Sequence, residues 1–145
     1  MSPVPPFQPL HGTTVAMRGP DGWRGVLLTG PSGAGKSDLA LRLMQRGARL
    51  VADDYSCVFM SGGFAFATAP ETIAGRIEAR GIGIVSAPSR PLVRLALVIE
   101  LTMGPVERLP EPRTRLIAGV VLPVFPLDAR EASAVEKITV LTQRL

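Results

Sequence analysis

Val26-Leu27-Leu28-Thr29-Gly30-Pro31-Ser32-Gly33-Ala34-Gly35-Lys36-Ser37 is the stretch that decides how this 145-residue chain reads. The three apolar residues at its start predict a buried strand, and Gly30 to Ser37 fits the spacing G-x-x-x-x-G-K-[ST]. Glycine is needed there because a side chain would stop backbone N–H groups from turning inward onto phosphate oxygens. The lysine then carries a mobile charge to the β- and γ-phosphates, and the hydroxyl reaches a magnesium ion. Lys36 is one of only two lysines against fourteen arginines, so its place in the pattern is not background. Chance matches in a chain of this composition amount to roughly two per thousand. The loop therefore predicts nucleotide or phosphate binding by Gly30, Pro31, Ser32, Gly33, Ala34, Gly35, Lys36 and Ser37.

Working outward, Leu39, Ala40, Leu43 and Met44 give an apolar stripe that predicts a helix over Lys36–Arg46, closed by Gly47. On the other side, Thr13–Met17 and Arg24–Thr29 read as strands around the turn Gly19-Pro20-Asp21-Gly22. Downstream, Arg49–Asp53 is a short strand, and Cys57–Met60 with Phe64–Thr68 form a hairpin around Ser61-Gly62-Gly63. Pro70-Glu71-Thr72 opens a predicted helical segment to about Glu78, and Gly81–Val85 is extended. Val93–Leu101 is apolar almost throughout, as a buried central strand requires. Met103–Arg113, with three prolines, reads as a loop, Ile117–Phe125 as one strand and Ala132–Leu141 as a closing helix. The expected class is α/β, a P-loop-containing mixed β-sheet core with few helices. Four prolines in the first nine residues make residues 1–10 an extended arm, which leaves 11–145 as one domain.

Composition narrows the function classes. An apolar fraction of 46% with 19% charged residues excludes wholesale disorder. The net charge of +4 comes from scattered arginines with no basic run, and aromatics are only 5%, so a nucleic-acid partner is not expected. No basic segment leads into an apolar one at the N-terminus, and no uncharged window approaches 18 apolar residues. A cytoplasmic protein with no membrane partner is the expectation. The single cysteine, Cys57, excludes an internal disulfide and reads as a small buried hydrophobe.

Phosphoryl transfer needs a metal-holding carboxylate, a group that orients the attacking oxygen, and positive charge on the transferred group. Asp53 and Asp54 are the next acidic residues after the helix. As neighbours on extended chain their side chains would leave on opposite faces. One could then address the metal and the other the acceptor, or one could cap a turn. On residues alone His11 reads as a surface group, Glu78 as a partner of Arg76 or Arg80, and Arg108 as a solvated loop arginine.

Taken together, His11-Gly12, the Gly30–Ser37 loop, Arg46-Gly47-Ala48-Arg49-Leu50-Val51-Ala52-Asp53-Asp54 and Arg76-Ile77-Glu78-Ala79-Arg80-Gly81-Ile82-Gly83-Ile84 resemble the C-terminal catalytic domain of HPr kinase/phosphorylase. The resemblance covers about residues 11–130 and is most similar to a short form lacking the N-terminal domain. It implies a fold related to phosphoenolpyruvate carboxykinase and transfer of phosphate from ATP, with Mg²⁺, to a serine of the phosphocarrier HPr. Residue by residue, it implies phosphate binding by Lys36 and metal binding by Ser37, Glu78 and Asp53. Asp54 best matches the proton acceptor, although the motifs do not separate the two aspartates firmly. His11 matches a catalytic-site histidine and Arg108 an active-site arginine. The family assembles as hexamers, which implies a homo-oligomer.

Two departures stand out. The P-V-[KR]-x-G-R segment linked to dephosphorylation is replaced by Asp128-Ala129-Arg130-Glu131-Ala132-Ser133, where only Arg130 fits. C-terminal helical residues that engage HPr and neighbouring subunits are expected to be missing. Kinase activity is thus the better supported direction. The competing expectations are a nucleotide-sensing regulatory module without turnover and a small-molecule kinase on the same scaffold.

Overall fold

The computed structural model describes residues 7–144. Its strands are β1 (Gln8–His11), β2 (Thr13–Gly19), β3 (Gly22–Thr29), β4 (Arg49–Ala52), β5 (Tyr55–Ser61), β6 (Phe64–Thr68), β7 (Arg76–Ala79), β8 (Gly83–Ser86), β9 (Leu92–Leu101), β10 (Arg113–Ile117) and β11 (Val120–Leu127). Helix α1 (Lys36–Met44) follows β3, and α2 (Ala134–Arg144) ends the described chain. None of these helices is long and apolar enough to cross a membrane.

One sheet runs in the order β1-β5-β6-β9-β3-β2-β4, with β10 and β11 joined to it through β9. β9 holds it together. Its first residues pair antiparallel with β6, its middle runs parallel to β3, and its end runs parallel to β11. The sheet is forced to curl. β1 and β2 stand five places apart in the strand order, about 24 Å in a flat sheet. Only Gly12 links them, a reach of about 7 Å at full extension. β4 and β5 are separated in the same way and joined only by Asp53 and Asp54. Both links therefore lie along one seam where the curled sheet meets itself, and Gly12 N–H donates to the Asp54 carbonyl at 2.8 Å. The crossing is tight enough to favour glycine, since a Cβ on Gly12 would stand 3.0 Å from the Leu28 carbonyl.

Alternation along the strands divides the core in two. Val15, Val26, Leu28, Leu97 and Ile99 face the helices and pack with Leu39, Leu43 and Ile138. Ala16, Leu27, Val58, Ala67, Leu95 and Val98 fill the inside of the curl. The period of two is that of strand geometry, broken on β9 where a register shift against Gly25 and Val26 puts Leu95 and Leu97 in different halves.

The α/β expectation with few helices holds, as do both early hairpins, the central strand and the closing helix. The part of the proline arm in residues 1–6 lies outside the described residues. Its end, Gln8–Leu10, pairs with β5 as an edge strand. Three local expectations are corrected. The helix expected over Pro70–Glu78 is only a 3₁₀ turn at Glu71–Ile73 followed by β7. Gly75 takes a left-handed φ of 73°, and Ile77 and Ala79 are buried two apart, a strand period. The strand expected over Ile117–Phe125 is a hairpin, because Ala118 and Gly119 both take positive φ in the manner of a type I′ turn. Cys57 is half-buried rather than a core residue.

Candidate active site

The Gly30–Ser37 loop leaves the end of β3 and enters α1, beside the parallel end of β9. Gly30, Gly33 and Gly35 all have positive φ, which L side chains rarely adopt. A Cβ on Gly30 would meet the Leu101 carbonyl at 2.9 Å, so the loop could not lie this close to β9 with any other residue. Lys36 is buried, and its Nζ donates to the carbonyls of Gly30 at 2.8 Å and Pro31 at 3.0 Å. Its pKa lies below the ordinary lysine value because burial disfavours the ammonium, while Asp54 and Asp53 pull it back up.

Asp53 ends β4 and faces this loop. Its Oδ1 accepts from the Ser37 hydroxyl at 2.6 Å and from the Thr13 hydroxyl at 3.1 Å, and its Oδ2 accepts from the Glu78 amide at 3.0 Å. Three donors on two oxygens fix both the position and the plane of the carboxylate. Asp54 is different. The strand stops at Ala52, Asp54 takes a φ of 66°, and Tyr55 N–H donates to the Asp53 carbonyl at 2.7 Å. That i→i+2 bond around a positive φ is a γ-turn pattern, strained for a non-glycine residue. The extended pair expected from sequence is thus replaced by a kink. The kink turns the Asp54 carboxylate to the surface, where Oδ1 lies 3.1 Å from His11 Nε2. The Asp54 side chain is 62% exposed and that of His11 39%. The His11 ring also lies 5.3 Å from Tyr55, centroid to centroid.

Buried hydroxyls stitch the seam. Ser56 donates to the Gly12 carbonyl at 2.9 Å, so its oxygen is left to accept from Thr14 at 2.7 Å. Thr13 and Ser56 were not singled out by the sequence. The available signal was a pair of threonines opening the mostly apolar β2, a buried place where each hydroxyl must find a partner.

Lys36, Ser37, Asp53, Asp54 and His11 are brought together. Glu78 contributes its main-chain amide, and its side chain stands on the exposed face of β7. Among the described residues, no three His, Cys, Asp or Glu side chains converge on a metal position. Ser37 and Asp53 are hard oxygen donors, and magnesium commonly takes one or two carboxylates with the rest from water and phosphate, so this pair fits that ion. Arg108 lies exposed in the 102–112 loop, and no hydrogen bond among the described residues joins it to the aspartates or Lys36. Arg130 follows Ala129, which borders the loop: a Cβ on Gly35 would stand 3.3 Å from Ala129 Cβ, and Arg42 holds the Ala129 carbonyl at 2.6 Å. The Arg130 guanidinium pairs with Asp128 at 2.8 and 3.0 Å, and this bonding takes the Asp128 pKa from the ordinary 3.8 to about 2.

Residues 5–91 match the family described as HPr Serine kinase C-terminal domain, which is more than half of the chain. HPr kinase/phosphorylase of Clostridium tetani is 42% identical over 96 residues, 66% of this chain and 30% of the relative. That of a Geobacillus species is 40% identical over 112 residues, 70% of this chain and 34% of the relative. The matched region spans about a third of the length of these relatives. The solved Hpr(Ser) kinase/phosphatase from Coxiella burnetii superposes with a TM-score of 0.78 at 26% identity, covering 92% of this chain and 93% of that one.

Proposed function

Because the chain belongs to the HPr serine kinase C-terminal domain family, we propose that it transfers the γ-phosphoryl group of ATP, with Mg²⁺, to a serine of the protein HPr. The observation that carries this reading is the seam. The curl sets a glycine-rich loop with a buried lysine against one fixed carboxylate and one exposed carboxylate–histidine pair.

The loop amides and Lys36 hold the donor's phosphates. Ser37 and Asp53 hold the metal, whose charge offsets that of the phosphates when it is bound. A hydroxyl that donates to Asp53 keeps its lone pairs free for a cation, so the 2.6 Å Ser37–Asp53 bond suits this role. Glu78 belongs to the metal set only if its side chain turns inward from β7. Asp54, exposed beside His11, is the base. The acceptor serine oxygen forms its bond to the γ-phosphorus as the bridging bond to the β-phosphate breaks. Its proton passes to Asp54, and ADP leaves. With Asp54 ionised, His11 donates from Nε2 and orients the carboxylate. Lys36 balances charge on the transferred group, with Arg108 as the alternative source. The unit proposed to do this is residues 11–145, working in the cytoplasm.

The test is incubation with HPr, ATP and Mg²⁺ followed by mass spectrometry of HPr. One phosphoryl group on a serine is expected. Nucleotide binding with HPr unlabelled would overturn the reading in favour of a sensing module, and label on a metabolite instead would favour a small-molecule kinase. Adding inorganic phosphate to the labelled product then tests the reverse direction, which this reading expects to be weak.

A further inference from the structure

Thr13 opens β2 and is fully buried. At such a place in a strand paired on both sides, a valine would fill nearly the same volume without a hydroxyl to satisfy. The hydroxyl is nonetheless engaged both as donor and as acceptor. It donates to Asp53 Oδ1 at 3.1 Å and accepts from the Asp54 amide at 3.1 Å. Among the described residues it is the one side chain that hydrogen-bonds both aspartates, touching the carboxylate of the first and the backbone of the second.

These two bonds constrain different things. The bond to Asp53 fixes a carboxylate whose other side-chain donor, Ser37, belongs to the glycine-rich loop. The bond from Asp54 N–H holds the residue that carries the strained φ of 66°, and so sets where its carboxylate leaves the seam. Both aspartates are thereby tied to β2, Asp53 through its carboxylate and Asp54 through its backbone, in addition to the bond from Ser37 of the loop to Asp53. Strain at a residue persists only where its surroundings over-determine it. Here Thr13 and the Gly12 amide grip the two sides of Asp54, on its N–H and its carbonyl.

We infer that Thr13 is a positioning residue that locks the Asp53–Asp54 pair in its working geometry. The inference deepens the proposed phosphotransfer and rests on it for its effect on rate, though not for its effect on the aspartates. A small displacement of reacting groups can cost about 10²-fold in rate. Thr13→Val is accordingly expected to lower kcat for HPr phosphorylation by about 10- to 100-fold while leaving the KM for ATP within about twofold. Thr13→Ser restores the hydroxyl and is expected to recover most of the rate.

The experiment compares wild type, Thr13→Val and Thr13→Ser in HPr phosphorylation and in amide hydrogen exchange read by NMR. The Asp54 amide is expected to exchange at least about tenfold faster in the valine variant and at close to the wild-type rate in the serine variant. Core amides such as that of Leu97 serve as the reference for a folded protein. An unchanged Asp54 amide in Thr13→Val overturns the inference, as does a serine variant as slow in transfer as the valine one. A wild type that does not label HPr, with the Asp54 amide still loosened by valine, removes the phosphotransfer reading and supports the hold of Thr13 on the aspartates.

Discussion

The two sides of the seam differ more than their one-residue separation suggests. On the inner side, Asp53 is 7% exposed and its carboxylate accepts from Ser37, Thr13 and the Glu78 amide. On the outer side, the Asp54 carboxylate is 62% exposed and has His11 as its hydrogen-bonding partner among the described residues. A carboxylate fixed by three donors is suited to hold a charge in place, and one open to solvent is suited to exchange a proton. The backbone kink at Asp54 creates the difference, since an extended chain would have sent the two side chains to opposite faces of one strand.

Breaking the inner side should have the larger consequences. Lys36→Ala is expected to weaken nucleotide binding and turnover together, and an unchanged nucleotide affinity by calorimetry would contradict the loop geometry. Asp53→Ala leaves the buried Thr13 hydroxyl, and the part-buried Ser37 hydroxyl and Glu78 amide, without their acceptor. An unsatisfied buried group costs about 1–3 kcal/mol, so chemical denaturation should show a loss of at least that size. Asp54→Asn, at the surface and with a side chain equally tolerant of the positive φ, should change stability by less than about 0.5 kcal/mol. Equal losses would erase the comparison.

Smaller effects sharpen it. If Lys36 supplies the balancing charge, Arg108→Ala should slow HPr phosphorylation by less than about threefold, whereas a loss near 10³-fold would assign the arginine that role. The least effect is expected at Asp128, whose pKa falls from 3.8 to about 2 when Arg130 bonds to it. A depressed carboxylate pKa contributes stability above the unfolded value, and this contribution fades as pH falls through the folded one. Asp128→Asn should therefore narrow the stability gap to wild type between about pH 4 and pH 2, followed by thermal melting across that range.

Much of this arrangement was legible where local chemistry dictates structure. The glycines and lysine of Gly30–Ser37, the Gly19–Gly22 turn and the largely apolar Val93–Leu101 stretch of β9 each specify their conformation from neighbours in sequence. What escaped reading depends on partners far along the chain. The strand at Arg76–Ala79 follows from burying Ile77 and Ala79 and from pairing with β8, against a proline and glutamate that suit a helix start. The Ala118-Gly119 turn lacks the asparagine or aspartate that marks most type I′ hairpins. The Asp54 kink arises because β4 must cross the seam to β5, and Thr13 matters only because that crossing sets it beside both aspartates, 40 and 41 residues away.

The central claim is that Asp54 takes the acceptor's proton while the phosphate loop, Ser37 and Asp53 hold the donor. Measuring ATP affinity and HPr phosphorylation on one preparation of Asp54→Asn tests it most directly. The account predicts wild-type nucleotide affinity with transfer reduced by about 10²- to 10⁴-fold, the usual contribution of a positioned base. Transfer at the wild-type rate would contradict it.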